Sequence, residues 1–167
     1  MHIRPLQISD SDDEARVCAA AMASSGPWLK LGRGFDACLQ GLTDGSREVH
    51  VAVESETILG FIALNLHGAF VGYIQAICVV ESARGRGVGS QLIAFAEERI
   101  FREHPNVFLC VSSFNDRARA LYERLGYERV GLFRDYIERG YDEILMRKSV
   151  APLKEFRPAT EAQPIQS

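Results

Sequence analysis

No two of the four cysteines in this 167-residue chain have the C-x-x-C spacing of a redox or metal site. Cys18, Cys38, Cys78 and Cys110 lie far apart, and none has a histidine at metal-ligand spacing. No metal is expected, and reduced, mostly buried thiols suit a reducing cytoplasm. The opening Met-His-Ile-Arg-Pro lacks a charged-then-apolar leader, which points the same way. Positive charge is not in excess either: the formal net charge is -3, so no global field draws in nucleic acid. No repeat of 20 to 50 residues is visible. The long uncharged run, Thr57 to Val80, is broken by Asn65, His67 and Gln75 and by Gly60, Gly68 and Gly72. Its β-branched content suits paired strands better than a membrane span.

What is present is a globular composition, 47% hydrophobic and 25% charged, in a chain long enough for one well-buried core. The expected division is one domain over 1–149 and a flexible tail over 150–167, where Pro152, Pro158 and Pro164 stand among polar residues. His2 to Gln7 reads as a strand, and Ser9 or Asp10 can cap a helix running to about Ser24. Gly26-Pro27 breaks that helix, Trp28 to Gly34 reads as a loop, and Phe35 to Leu42 as a second helix. Glu48 to Glu54 and Thr57 to Leu66 form a hairpin about a Ser55-Glu56 turn, and Phe70 to Val80 is a strand apolar on both faces, hence central. Val88, Leu92, Phe95, Ala96 and Ile100 share one face of a helix over Gly87 to Arg102. A strand at Val107 to Val111, a helix from Asn115 to Leu125 closed by Gly126, and strands at Tyr127 to Phe133 and Tyr141 to Lys148 complete the order, the last two joined by an Asp135 to Gly140 connection. Strands alternating with helices argue for an α/β fold with an antiparallel hairpin near each end.

The chemistry concentrates in Ile77-Cys78-Val79-Val80-Glu81-Ser82-Ala83-Arg84-Gly85-Arg86-Gly87-Val88-Gly89-Ser90, between the central strand and the long helix. Glycines let backbone amides approach an anion, the first helical N–H groups are unpaired, and the helix dipole favours negative charge there. Arg84 and Arg86 add cations, and several amides with cations suit a diphosphate better than one carboxylate. The dinucleotide pattern G-x-G-x-x-G fails because position 90 is serine, and a P-loop fails because no lysine follows the glycines.

Arg84-Gly85-Arg86-Gly87-Val88-Gly89 resembles the Q/R-x-x-G-x-G/A signature of the GNAT superfamily of N-acetyltransferases. Asn115-Asp116-Arg117-Ala118-Arg119-Ala120-Leu121-Tyr122-Glu123-Arg124-Leu125-Gly126-Tyr127 is similar to that family's N-x-x-A-x-x-x-Y-x-x-x-G-F/Y motif. The resemblance implies a mixed, mostly antiparallel sheet of about seven strands, flanked by about four helices and splayed between the fourth and fifth strands. It implies acetyl-CoA as acyl donor and a primary amine as acceptor, on a small molecule, an amino-acid-like compound or a peptide. Backbone groups of Ile77 and Val79 would pair with the pantetheine arm as an added strand, and an amide of Ile77 or Cys78 would donate to the thioester oxygen. Arg84, Gly85, Arg86, Gly87, Val88, Gly89 and Ser90 would hold the pyrophosphate. Asn115 would bind the cofactor or cap its helix, and Tyr122 would protonate the departing thiolate.

The acceptor side is thinner. Trp28, Tyr73, Gln75 and Ser112 are its candidates, with the Gly26 to Lys30 segment and the Asp135 to Glu138 connection as further lining. Relatives place a basic glutamate at positions matching Tyr73 or Cys110, so neither of those carboxylates is available here. A water relayed by Gln75, Ser112 or the Glu81 region, or an amine arriving neutral, stays open. Cys78 and Cys110 sit in apolar runs and are read as inert thiols. A non-catalytic acyl-CoA sensor of the same fold is the second reading, no nucleic acid or membrane partner is expected, and a homodimer is left open.

Overall fold

A computed structural model describes residues 1–9 and 13–159. The cap expected at Asp10 and the end of the tail, with Pro164, lie outside them. Strand β1 (His2–Pro5) leads to helix α1 (Asp13–Ala23), and the two are clipped together by Arg4, which donates to both carboxylate oxygens of Glu14 at 3.0 and 2.6 Å. A short helix, α2 (Gly26–Lys30), stands where the sequence suggested a loop. Pro27 lies in its first turn, where a missing N–H costs nothing and φ is already helical, so the residue that stops α1 starts α2. Helix α3 (Phe35–Thr43) follows as expected.

The hairpin of β2 (Glu48–Glu54) and β3 (Thr57–Asn65) turns through Ser55 and Glu56, both at positive φ, the geometry a two-residue turn needs to match strand twist. Next come β4 (Tyr73–Val79), helix α4 (Val88–Phe101), β5 (Asn106–Ser112), helix α5 (Asp116–Arg124), β6 (Glu128–Glu138) and β7 (Tyr141–Ser149). Strand β4 begins three residues later than expected, and β6 runs on through most of the expected Asp135 to Gly140 connection, with Asp135 at positive φ.

All seven strands form one sheet in the order β1-β2-β3-β4-β5-β7-β6, antiparallel except between β4 and β5. Helices α1 and α3 cover one face, over Val51, Val53, Phe61, Ala63, Ala76 and Cys78. Helix α4 covers the other, where Leu92, Ile93 and Ile100 are fully buried against Ile62, Leu64, Ile74 and Leu109. Each such side chain contributes about 1.5–3 kcal/mol on leaving water.

One irregularity makes the site. Ala63 pairs with Ala76 and Leu64 with Ile74, so Gln75 is an extra residue in β4, a bulge. It reverses the alternation: Ile74 and Ile77 both join the α4 side of the core, while Ala76 and Cys78 join the α1 side. A bulge bends its strand and interrupts the ladder. The parallel pairing of β4 with β5 accordingly ends after Tyr73–Phe108 and Ile74–Leu109, and the two central strands part beyond it. Gly72 fits before this point because a Cβ there would lie 2.5 Å from the Asn106 carbonyl oxygen.

Candidate active site

A cavity of about 870 Å³ opens where β4 and β5 separate. One end of it is built from backbone. After a single 3-10 turn at Glu81–Ala83, the chain passes Gly85 and Gly87, both at φ +79, a region open to glycine and strained for other residues. Those two reversals lay the segment across the N-terminus of α4. The first intrahelical-type bond runs from the Gln91 amide to the Gly87 carbonyl, and the six consecutive amides of residues 85–90 have no acceptor among the described residues. Gly85, Gly87, Val88, Gly89 and Ser90 line the cavity, as does Arg84. Unpaired amides, a helix dipole and a cation in one wall form an anion cradle suited to a diphosphate.

From the cradle the cavity runs along β4. Ile77, Cys78 and Val79 line it, and beyond Ile74 the edge of β4 that faces β5 has no ladder partner. That edge offers strand hydrogen bonding to an extended ligand. On the far wall stands α5. Asn115 Oδ1 caps it by accepting from the Ala118 amide at 3.2 Å, and Asn115 also lines the cavity, so both roles expected of it are compatible. Tyr122, two turns on, is 7% exposed, and its hydroxyl makes no hydrogen bond to a described residue. Burial pushes its phenol up to about 12.

The rest of the lining is built from side chains. Trp28, Tyr73, Gln75 and Ser112, the residues expected on the acceptor side, all line the cavity, and so do Tyr136 and Ile137 of the Asp135 to Glu138 stretch. The face of Trp28 already carries a protein cation, with the Arg33 guanidinium 5.8 Å from its ring. Arg86 stands apart: it does not line the cavity, and its guanidinium donates to Glu54 at 2.6 Å. Cys78 is pushed up to about 11 by burial, and Cys110 is raised chiefly by burial, so both thiols are protonated at neutral pH, as an inert role requires.

Sequence reasoning missed Glu143 of β7. It is 4% exposed, pairs in register with Ser112, and accepts a hydrogen bond from the Ser112 hydroxyl. Burial raises its carboxyl above the ordinary glutamate range, and the Ser112 hydrogen bond opposes the rise. Tyr73 and Cys110 both feel its charge, so all three groups share one corner. Arg117 and Arg124 of α5 were also missed and add positive charge to the lining. The available signal for Glu143 was a charged residue just before the apolar run Ile144-Leu145-Met146 of a strand.

A family model described as the acetyltransferase (GNAT) family matches residues 19–127. The N-alpha-acetyltransferase RimI of Mycobacterium tuberculosis is 34% identical over 96 residues, covering 55% of this chain and 60% of that protein. The aminoalkylphosphonate N-acetyltransferase of Salmonella typhimurium is 29% identical over 94 residues, covering 53% of this chain and 61% of that protein. The chain thus spans about three fifths of the length of these curated relatives. Among solved structures, an aminoglycoside 6'-N-acetyltransferase complexed with coenzyme A is similar in fold, with a TM-score of 0.70 at 16% identity over 91% of this chain and 98% of that chain.

Proposed function

The chain belongs to the acetyltransferase (GNAT) family, and from that premise we propose that it transfers an acetyl group from acetyl-CoA to a primary amine, by direct attack within a ternary complex. The observation that carries this reading is the run of six acceptor-free amides at 85–90, opening into a cavity that continues along an unpaired strand edge to Tyr122. Its chemistry matches a diphosphate joined to an extended arm. Arg84, Arg117 and Arg124 offset the phosphate charge, and Ile77 and Val79 hold the arm through main-chain groups. Bound acetyl-CoA supplies an activated acyl carbon. An amide of Ile77 or Cys78 then stabilises the oxygen on which negative charge develops. Tyr122, fully protonated at neutral pH, holds the proton that the departing sulfur needs. Holding both reactants in one cavity supplies much of the remaining acceleration.

Relatives named for acceptors as different as an aminoalkylphosphonate and an aminoglycoside support an amine acceptor without choosing one. No helix among the described residues is long and apolar enough to cross a membrane. The test is release of free thiol from acetyl-CoA across a panel of small amines, amino acids and peptides. Turnover with some acceptor, slowed on the order of 10²-fold or more in Tyr122→Phe, is the expected result. Tight acetyl-CoA binding with no turnover across the panel identifies an acyl-CoA sensor instead. ATP or NAD competing as well as coenzyme A does would remove the donor assignment itself.

A further inference from the structure

The lining of the cavity is unbalanced in charge. It holds four arginines, Arg33, Arg84, Arg117 and Arg124, and Glu143 is the single acidic residue among the described residues that line it. No basic residue pairs with Glu143 among the described residues; its recorded partner is the Ser112 hydroxyl. Burying a carboxylate without a cation is costly, and the charge is tolerated where a partner is supplied from outside or where the group works as an acid or base. A purely structural role explains little, because the backbone ladder already pairs β5 with β7 along its whole length, Ser112 with Glu143 included. Apolar and aromatic side chains share the lining with this carboxylate: Phe133 is its partner on β6, Trp28 and Ile137 line the same cavity, and Phe70 and Tyr136 are exposed at 44% and 65%.

Resting on the acetyltransferase reading above, we propose that Glu143 receives the ammonium of a singly charged amine carried on an apolar or aromatic body, and takes the proton that frees its nitrogen for attack. The balance is simple. An ammonium that becomes an amide loses two protons as the C–N bond forms and the C–S bond breaks. One proton goes to Glu143 and on to water; the other ends on the sulfur through Tyr122. Glu143 must be ionised to begin, and its raised proton affinity makes it a better acceptor near neutral pH than an exposed glutamate. The groups beside it are Tyr73 from β4, Cys110 and Ser112 from β5 and, in register on β6, Phe133, none of them cationic. Polycations fit poorly, since after the first ammonium they meet no second carboxylate among the described lining residues, and the Arg33 guanidinium beside Trp28 opposes further positive charge.

The test uses the full chain, acetyl-CoA, and two probes: 2-phenylethylamine as the singly charged aromatic amine and an aminoglycoside as the polycation. 2-Phenylethylamine should give the higher kcat/KM. Its kcat/KM should rise with pH along an acidic limb that Glu143→Gln abolishes, together with a loss on the order of 10²-fold. Ser112→Ala removes a donor to the ionised form and should move that limb to higher pH. Calorimetric binding of the amine should weaken in Glu143→Gln while acetyl-CoA affinity stays at the wild-type value, which also shows that the variant is folded. Unchanged amine binding or an unchanged pH profile in Glu143→Gln overturns the proposal. So does preference for the aminoglycoside, or a wild type that neither binds nor acetylates 2-phenylethylamine. Failure of the wild type to bind acetyl-CoA at all strikes the acetyltransferase reading, a separate outcome.

Discussion

The two ends of the cavity are made of different material. The donor end is main chain: amides from one six-residue segment and the free edge of one strand. The acceptor end is side chain, collected from α2, β4, β5, β6 and β7, elements up to 115 positions apart in sequence between Trp28 and Glu143. A cradle of amides depends on backbone shape and is indifferent to most side chains, so one donor can be kept while acceptors change. On the acetyltransferase reading proposed above, selectivity for the acceptor falls to the few polar groups among Trp28, Tyr73, Gln75, Ser112, Tyr136 and Glu143.

The sharpest way to break that contrast is to spoil the donor end alone. In Gly87→Val a β-branched residue must take φ +79, which costs about 1–2 kcal/mol or more in backbone strain. A Cβ at this position meets nothing closer than Gln91 Nε2 at 4.0 Å, so the new side chain projects into open space instead of the core. The fold should survive, with Tm lower by a few degrees. Acetyl-CoA affinity by calorimetry should fall on the order of 10²-fold, because several charge-assisted amide contacts worth about 1.5–3 kcal/mol each are disturbed together. Retained affinity would mean that the cradle is not where the donor binds.

A smaller effect separates two arginines that the sequence treats alike. Arg84 lines the cavity, whereas Arg86 is tied to Glu54 on the outside of the loop. Arg84→Ala should weaken acetyl-CoA about tenfold, the scale of one charge-assisted hydrogen bond, and should flatten the salt dependence of binding. Arg86→Ala should stay within about twofold of wild type, since an exposed ion pair contributes little. Equal losses in both would place the phosphates on the outer face of the loop.

The same division explains what could be read in advance. The glycine loop, the strand before it, Asn115 and Tyr122 lie in two short stretches, and local patterns carry local chemistry. The seven strands and the main helices were legible from periodicity and from turn residues such as Ser55-Glu56 and Gly126. Helix α2 was not, because Pro27 reads equally as the end of one helix and the start of another. The bulge at Gln75 was not, because an apolar strand looks alike in either register until its partner is known. Glu143 was missed for a tertiary reason. The positions at which relatives carry a glutamate hold Tyr73 and Cys110, and the carboxylate reaches the same corner from β7, more than 30 residues further along the chain. Only the pairing of β5 with β7 brings Ser112 and Glu143 together.

The mildest prediction concerns stability and sets the two ends against each other once more. Removing a donor-end glycine should destabilise, whereas neutralising the acceptor-end carboxylate should stabilise. The folded-state pKa of Glu143 is raised above its unfolded value by burial, so the folded protein holds this proton more tightly than the unfolded chain does. Stability from this group is then fully present below the unfolded glutamate pKa of about 4.3 and is lost as pH rises through the raised folded value. Glutamine keeps the shape and an acceptor for the Ser112 hydroxyl but never ionises. Glu143→Gln should therefore match wild type in Tm near pH ~4 and exceed it by a few degrees near pH ~8, as followed by scanning calorimetry. A gain in Tm together with a loss of turnover is the pattern of a group retained for chemistry at a cost in stability. A Tm below wild type across the whole range would instead make the Ser112–Glu143 contact a structural clasp between β5 and β7.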